Sequence, residues 1–119
     1  MAGDQSLDGR RFILESSSGG QVDHDTVFDY RQEGDLVWAT YSGGAIRLGF
    51  VVGVRQGDEL DLRYVHMDDD GVTRSGRCRS DVREESPGIL TLVEQWAWES
   101  QDGEGESVLR ELWTFAADL

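Results

Sequence analysis

Two glutamates near the C-terminus, Glu94 and Glu111, have the clearest potential for chemistry in this sequence. They lie in the segments Leu90–Trp98 and Ser107–Phe115, which both alternate in the manner of β-strands. Because side chains alternate between the two faces of a strand, each glutamate shares its face with leucine and tryptophan. Carboxyl groups on an apolar face are suited to hydrogen bonding with a polar group of a ligand, or to general acid–base catalysis.

The polar, glycine-containing segment 99–106 between these two runs predicts a hairpin. A pairing in which residue numbers sum to 205 would place Glu94 directly opposite Glu111. Two adjacent carboxyl groups among aromatic side chains do not both ionise readily, so we expect one raised pKa and a proton shared near neutral pH. Arg74 is the basic residue best placed to neutralise the pair, which leaves a structural and a functional interpretation open.

Further polar and aromatic residues share the predicted inward face. His66 ends a strand near Arg74 and is either a hydrogen-bonded residue at the rim or a group that assists proton transfer near neutral pH. The tryptophans either fill a small core or form an aromatic cage for a flat or cationic ligand. The predicted catalytic residues are Glu94, Glu111 and His66. The predicted ligand-binding residues are Tyr30, Tyr64, Arg74, Trp96, Trp98 and Trp113.

The length of 119 residues predicts one domain, a β-barrel over residues 1–119 in which residues 1–9 form a flexible N-terminal segment. The N-terminus has neither a basic region nor an apolar core, so no signal peptide is expected. No stretch approaches the roughly 20 apolar residues of a membrane helix. We therefore predict a cytoplasmic protein.

The formal net charge is -13, and all eleven basic residues are arginines. An acidic surface repels phosphate groups, so we expect neither nucleic acid nor an anionic membrane as a partner. The absence of lysine excludes a lysine Schiff base, and two histidines cannot form a three-histidine metal site within one chain. The sequence predicts no metal site and no cofactor, and a small molecule is the expected partner. Whether chains associate into a homo-oligomer stays open.

Short alternating segments separated by glycine-containing turns run through the whole chain, and none has the helical period of 3.6 residues. Eight such segments in succession predict an all-β, antiparallel up-and-down meander barrel, with a β-sandwich as the alternative. The predicted strands are Arg11–Ser16, Thr26–Gln32, Leu36–Ser42, Ile46–Val54, Leu60–Met67, Val72–Ser80, Gly88–Glu99 and Ser107–Phe115.

The apolar positions of each strand predict which side chains point into the barrel. In the segment Leu36–Ser42 both Trp38 and Tyr41 could take the inside, so the alternation there is ambiguous. The predicted inward-facing residues are Phe12, Leu14, Phe28, Tyr30, Leu48, Phe50, Val52, Leu62, Tyr64, His66, Gly76, Cys78, Leu92, Glu94, Trp96, Trp98, Glu111, Trp113 and Phe115.

Several phrases resemble a family of small bacterial proteins that carry the label N-acetylglutamate synthase. The phrases are Phe28–Gly34, Tyr41–Gly49, Leu62–Tyr64, Gly76–Cys78, Leu92–Trp98 and Gly105–Glu111. The resemblance implies an avidin-type or calycin-type barrel, in agreement with the meander. An acetyltransferase of that kind would need an Arg/Gln-x-x-Gly-x-Gly/Ala loop leading into a helix, where backbone amides hold a pyrophosphate. Arg55-Gln56-Gly57 has neither the spacing nor the helix.

Three functions follow from these observations as hypotheses. The first is a barrel that encloses a small apolar or aromatic molecule in a pocket lined by aromatic and carboxylate groups. The second is a cofactor-free isomerase, cyclase or lyase, for instance in natural-product biosynthesis, with Glu94 and Glu111 as the acid–base pair. The third is an interaction module whose interior is filled. The sequence does not decide whether the protein is an enzyme.

Overall fold

A closed barrel of eight antiparallel strands forms from the alternating segments in the computed structural model, which describes residues 5–112. Each strand pairs with the next in chain order, and the last pairs with the first. The predicted fold class is confirmed. Within residues 5–112 there is no helix long and apolar enough to cross a membrane. The strands are β1 Arg11–Ser17, β2 Val27–Glu33, β3 Leu36–Gly43, β4 Ile46–Gln56, β5 Glu59–Asp68, β6 Thr73–Ser86, β7 Ile89–Trp98 and β8 Glu104–Glu111.

Strand β6 continues past the predicted end at Ser80 and reaches Ser86. Alternation persists in this extension, because Val82 is buried while Arg83 is exposed. The extension pairs with the start of β7 and lengthens the barrel wall at that end.

The β7–β8 hairpin has a different register from the predicted one. Glu94 lies opposite Ser107, and Leu92 lies opposite Leu109, so residue numbers sum to 201. The register differs because β8 begins at Glu104, which shortens the turn to residues 99–103. Glu111 therefore lies four residues further along β8, roughly 13 Å from the level of Glu94 at about 3.3 Å per residue. The prediction that Glu94 and Glu111 form an adjacent, proton-sharing pair is wrong.

Strand β4 presents the opposite face to the one predicted. Leu48, Phe50 and Val52 were expected inside but are 48%, 51% and 53% exposed. Gly49 and Val51 point into the barrel instead, because a bulge between Ile46 and Leu48 shifts the alternation. Apolar side chains on the outer face of β4 made the pattern misleading.

The two ends of the barrel differ in how they are closed. We call the end with the β1–β2, β3–β4, β5–β6 and β7–β8 connections the upper end, and the other the lower end. Residues 5–10 lie across the lower end, with Leu7 fully buried and the Gln5 carbonyl accepting a hydrogen bond from Arg55 at 2.6 Å. The lower half of the barrel is consequently a filled core. Residues 5–9 belong to the segment that the sequence predicts to be flexible, and that prediction stays untested.

The apolar side chains of this core form one connected cluster. Its members have almost no accessible surface, as expected where side chains of all strands interdigitate. They include Phe12, Leu14, Val37, Leu60, Val82, Leu90, Leu92 and Leu109. The core supports the floor of the space that remains in the upper half.

Candidate functional site

A cavity occupies the upper half of the barrel interior, above the filled core and below the β1–β2 loop. Six of its seventeen lining residues are phenylalanine, tyrosine or tryptophan, and the titratable groups that accompany the tyrosines are one carboxyl group, one imidazole and one thiol. The lining residues are Gly19, Gly20, Gln21, Val22, Phe28, Tyr30, Tyr41, Val51, Leu62, Tyr64, His66, Cys78, Glu94, Trp96, Trp98, Ser107 and Leu109.

The cavity is small. About 60 Å³ is open to the centres of water molecules, which is enough for several waters. The upper half of the interior is therefore not completely filled, in contrast to the lower half.

Glu94 is the carboxyl group of the cavity. It is enclosed by the barrel and exposes part of its surface to the cavity. Its Oε2 accepts a hydrogen bond from the Ser80 hydroxyl at 3.0 Å, and the Cys78 thiol is a second neighbour. Burial raises the pKa of Glu94 to about 7, although both hydrogen bonds oppose the shift. This carboxyl group can therefore gain or lose a proton near neutral pH.

Three tyrosines line the cavity beside Glu94. Burial, aided by the charge of Glu94, raises the pKa of Tyr30 well above its usual value. Burial also raises the pKa of Tyr41 and of Tyr64. All three stay protonated at any physiological pH, so they present hydroxyl groups and aromatic faces to the cavity. Tyr41 also stacks on Phe28, with ring centroids 4.6 Å apart.

His66 connects the cavity wall to the β1–β2 loop. Its Nδ1 lies 2.8 Å from the Tyr41 hydroxyl, and its Nε2 lies 2.8 Å from Gln21 Oε1. Because Gln21 Oε1 can only accept, Nε2 carries the proton and Nδ1 accepts from Tyr41. Burial, together with the nearby charge of Arg74, lowers the pKa of His66. The imidazole is therefore neutral at pH 7.

Gln21 is held at the rim by two charged residues of the β5–β6 hairpin. Its Nε2 donates to Asp68 Oδ2 at 3.0 Å, and its Oε1 accepts from Arg74 at 2.9 Å. Arg74 and Asp68 form an ion pair. Hydrogen bonds to the Asp68 carboxylate lower its pKa, and the bond from Gln21 has the largest effect. Among residues 5–112, no group of three or more His, Cys, Asp or Glu side chains is placed to hold a metal ion.

The loop at residues 18–26 covers the cavity in the manner of a lid. Gly20 approaches the Trp96 indole so closely that an added Cβ would lie 3.3 Å from the ring. Trp96 is also fixed by a hydrogen bond from its Nε1 to the Ser107 hydroxyl at 3.0 Å. Trp98 packs edge-on against His66 and Tyr64. The mouth of the cavity is therefore bounded by the loop and two tryptophans.

Six of the nine predicted site residues meet in this cavity, two lie elsewhere, and one is outside the described residues. Glu111 lies at the lower end, where its Oε1 accepts from Arg10 at 2.7 Å and from the Leu90 amide at 3.0 Å. Arg74 lies at the rim and binds Asp68 and Gln21, so the interpretation in which it neutralises the glutamates does not apply. Trp113, like Phe115, lies outside the described residues. The predicted site residues that line the cavity are Tyr30, Tyr64, His66, Glu94, Trp96 and Trp98.

Sequence reasoning missed Gln21 and left Tyr41 ambiguous. Gln21 lies in an irregular loop, where no alternation shows which side chains face a cavity. The alternation allowed either Tyr41 or Trp38 to point into the barrel. Gly49 is the residue that could have decided between them, because it leaves room for the Tyr41 ring. Cys78 is buried as predicted, and burial raises the pKa of its thiol.

The fold and the cavity together define a small antiparallel β-barrel with an enclosed aromatic pocket at one end. A family model described as avidin-like protein matches residues 5–112. The chain belongs to this avidin-like family. No curated protein and no solved structure is significantly similar to the chain. The avidin-type barrel that the sequence resemblance implied is thereby confirmed.

Replacing Gln21 with alanine is expected to loosen the lid. The change removes the oxygen that accepts hydrogen bonds from His66 and Arg74, and the amide group that donates to Asp68. The expected loss of stability is only about 1 kcal/mol, because water can reach these groups. Hydrogen exchange of residues 18–26 should accelerate by at least about fivefold. Gln95→Ala, an exposed glutamine on the outer face of β7, serves as the control. Equal exchange in both variants would contradict the assignment of Gln21 as the residue that holds the loop.

Proposed function

We propose that this protein binds a compact aromatic or apolar organic molecule in the cavity and anchors a hydrogen-bond donor of that molecule on Glu94. The single observation that carries the proposal is the placement of Glu94, a carboxyl group enclosed among aromatic side chains that faces the cavity. A buried polar group is costly unless it is hydrogen-bonded. A ligand with a donor group would complete its hydrogen bonding.

The contacts of Glu94 leave room for such a ligand. Its neighbours Ser80 and Cys78 are neutral, and no ion pair with a basic side chain of residues 5–112 is formed by Glu94. A purely structural carboxylate in an apolar interior usually has a charged partner, as Glu111 has in Arg10. Glu94 thus differs from Glu111 in forming no ion pair with a basic side chain of residues 5–112.

The size and lining of the cavity limit the ligand to about one ring with one substituent. Faces of Tyr30, Tyr64 and Trp98 provide apolar and aromatic contacts, which is the usual composition of small-molecule sites. The lid loop and Trp96 would close over the bound molecule. Entry then requires opening of residues 18–26.

A matched pair of probes tests the anchoring role of Glu94. Benzamide and acetophenone have nearly the same shape, but only benzamide donates hydrogen bonds. Tryptophan fluorescence titration should show benzamide binding at least about tenfold more tightly than acetophenone at pH 8.5, equivalent to roughly 1.4 kcal/mol. In Glu94→Gln this preference should fall to less than about threefold.

Two outcomes would contradict parts of the proposal. Equal affinity for the two probes in the wild type would refute the anchoring role while supporting an apolar pocket. Failure of both probes, and of phenol and indole as further single-ring compounds, to change the fluorescence would refute small-molecule binding. Ser107→Ala, which removes only the hydroxyl that fixes Trp96, is a control for general disturbance of the pocket.

A second candidate function is catalysis by proton transfer. The pKa of about 7 for Glu94 favours it, because a general acid or base works best when its pKa is near the working pH. Glu94 alone would take the proton-transferring role, since Glu111 is at the other end of the barrel. In that case Glu94→Gln should abolish turnover of a converted ligand and retain its binding. Parallel loss of binding and turnover would favour anchoring only.

A further inference from the structure

Among the described residues, the lining of the cavity includes a group that becomes negatively charged and none that is positively charged at neutral pH. All eleven arginines of the chain belong to the described part, and none of them lines the cavity beside Glu94. Arg74 lies at the rim, where its guanidinium forms an ion pair with Asp68 and donates to Gln21. His66 in the wall is neutral, because burial and the charge of Arg74 lower its pKa. The described residues therefore provide Glu94 with no cationic partner.

The hydroxyl donors close to Glu94 are directed at other groups of the wall. The Ser80 hydroxyl donates to Glu94 at 3.0 Å, and the Tyr64 hydroxyl donates to a backbone carbonyl at 3.4 Å. The Tyr41 hydroxyl donates to Nδ1 of His66 at 2.8 Å. These side chains consequently present oxygen lone pairs to a molecule in the cavity. An alkylammonium group, which has three N–H donors and no acceptor, is complementary to such a wall.

Aromatic rings surround the same space. The ring centroid of Trp98 lies 5.7 Å from that of Trp96 and 5.7 Å from that of Tyr64, with interplanar angles of 59° and 64°. The face of an aromatic ring is electrostatically negative and attracts a cation within about 6 Å of its centroid. The rings therefore stabilise positive charge in the cavity in addition to the carboxylate of Glu94.

We propose that the ligand of the cavity is an arylalkylamine, whose protonated amino group on a short alkyl arm forms an ion pair with Glu94. This inference rests on the proposed function and names the chemical class of its ligand. Pairing neutralises two opposite charges in an enclosed space, where an unpaired charge is costly. An anionic ligand would face the carboxylate without a basic partner, so the cavity selects against it. The net charge of -13 also attracts cations to the protein.

The ion pair makes the affinity for such an amine depend on pH. Burial raises the pKa of Glu94 to about 7, and the ammonium group requires the ionised carboxylate. From pH 8 to pH 6 the ionised fraction of Glu94, and with it the affinity, should fall about tenfold. Burial raises the pKa of the phenol and thiol groups that face Glu94 and lowers that of the imidazole, so at pH 8 all of them are neutral. These groups belong to Tyr30, Tyr41, Tyr64, Cys78 and His66.

Benzylamine and benzyl alcohol test the proposal, because they have nearly the same shape and only the amine is positively charged at pH 8. Tryptophan fluorescence titration at pH 8 should show benzylamine binding at least about tenfold more tightly than benzyl alcohol, and benzoate more weakly than either. In Glu94→Gln the preference for the amine should fall to less than about threefold, because the ion pair is lost. Glu59→Gln removes an exposed carboxylate at the start of β5 and should keep the wild-type preference, which controls for general attraction of cations.

Benzylamine that binds the wild type no more tightly than benzyl alcohol would overturn the amine class, while binding of benzyl alcohol or benzamide would still support the proposed function. A preference for the amine that survives unchanged in Glu94→Gln would also overturn it. The pH dependence of the wild type is an independent measurement, in case Glu94→Gln does not fold. Equal affinity for benzylamine at pH 6 and pH 8 would contradict the ion pair. Failure of all these compounds to bind would overturn the proposed function together with the amine class.

Discussion

Replacing Glu94 with glutamine is expected to make the protein more stable above pH 8 and to leave its stability nearly unchanged near pH 4. The folded pKa of about 7 lies above the usual value of 4.5. A group with a raised folded pKa costs stability as pH rises above its unfolded value, and the cost levels off beyond the folded pKa. Glutamine cannot ionise, so it removes this cost. The gain above pH 8 is roughly 3 kcal/mol.

Urea unfolding of wild type and Glu94→Gln between pH 4 and pH 9 measures this difference. The difference in the free energy of unfolding between the two proteins should increase from about pH 4.5 to pH 7 and then stay constant. Glu111→Gln is the control, because it removes a carboxylate that is paired with Arg10 and should lower stability. A difference that does not change with pH would show that Glu94 is not a buried, titrating carboxyl group in the cavity.

Replacing Gly49 with alanine is expected to disturb both stability and the cavity. An added Cβ would overlap with the ring of Tyr41. Tyr41 cannot move freely, because it is buried, stacks on Phe28 and bonds His66. Insertion of a methyl group into such packing costs about 2–3 kcal/mol. The displaced ring would occupy part of the cavity and reduce ligand affinity by at least about tenfold.

Thermal unfolding and probe titration of Gly49→Ala measure the two effects. Gly57→Ala is the matched control. Its Cβ would meet no neighbour, so only its positive φ of 60° adds a cost, of about 1 kcal/mol. Its affinity for probes should equal that of wild type. A Gly49→Ala protein with wild-type affinity would contradict the placement of Tyr41 in the wall of the cavity.

The barrel could be predicted from sequence because short local sequence patterns determine its strands and turns. Alternation of apolar and polar residues fixes the strands, and glycine-containing turns of two to five residues fix the hairpins. On β7 the alternation of Leu92, Glu94, Trp96 and Trp98 also identified the inward face correctly. Closure follows from the strand number and the succession of hairpins.

The face of β4 was not predictable from alternation. Its inward positions are taken by Gly49 and Gly53, since larger residues would collide with Tyr41 and with the backbone of Asp61. Its outward positions are apolar as well, with Leu48, Phe50 and Val52 exposed. The apolar alternation therefore favoured the wrong face. Tertiary packing inside the barrel, at Gly49 and Gly53, decided the orientation of the strand.

The distances between site residues depend on register, which alternation does not fix. A shift of the β7–β8 pairing by four residues preserves every inward side chain and yet separates Glu94 from Glu111. The segment Glu104–Glu106 is polar enough to be assigned to the turn, but it pairs with β7, where Gly105 lies opposite Trp96. The contacts of loop residues are equally hard to predict from sequence. The hydrogen-bond partners of Gln21 lie on the β5–β6 hairpin and come close to Gln21 only when the barrel has folded.

The most direct test of the proposed function is the response of individual tryptophan indole N–H signals to a ligand in an NMR titration. Trp96 and Trp98 line the cavity, whereas Trp38 lies on the outer face and serves as an internal control. Single Trp→Phe variants assign the signals. With benzamide, the signals of Trp96 and Trp98 should shift in a saturable manner and that of Trp38 should not, with weaker binding in Glu94→Gln. Saturable shifts confined to Trp38, or none at Trp96 and Trp98 with any single-ring compound, would contradict a binding site in the barrel.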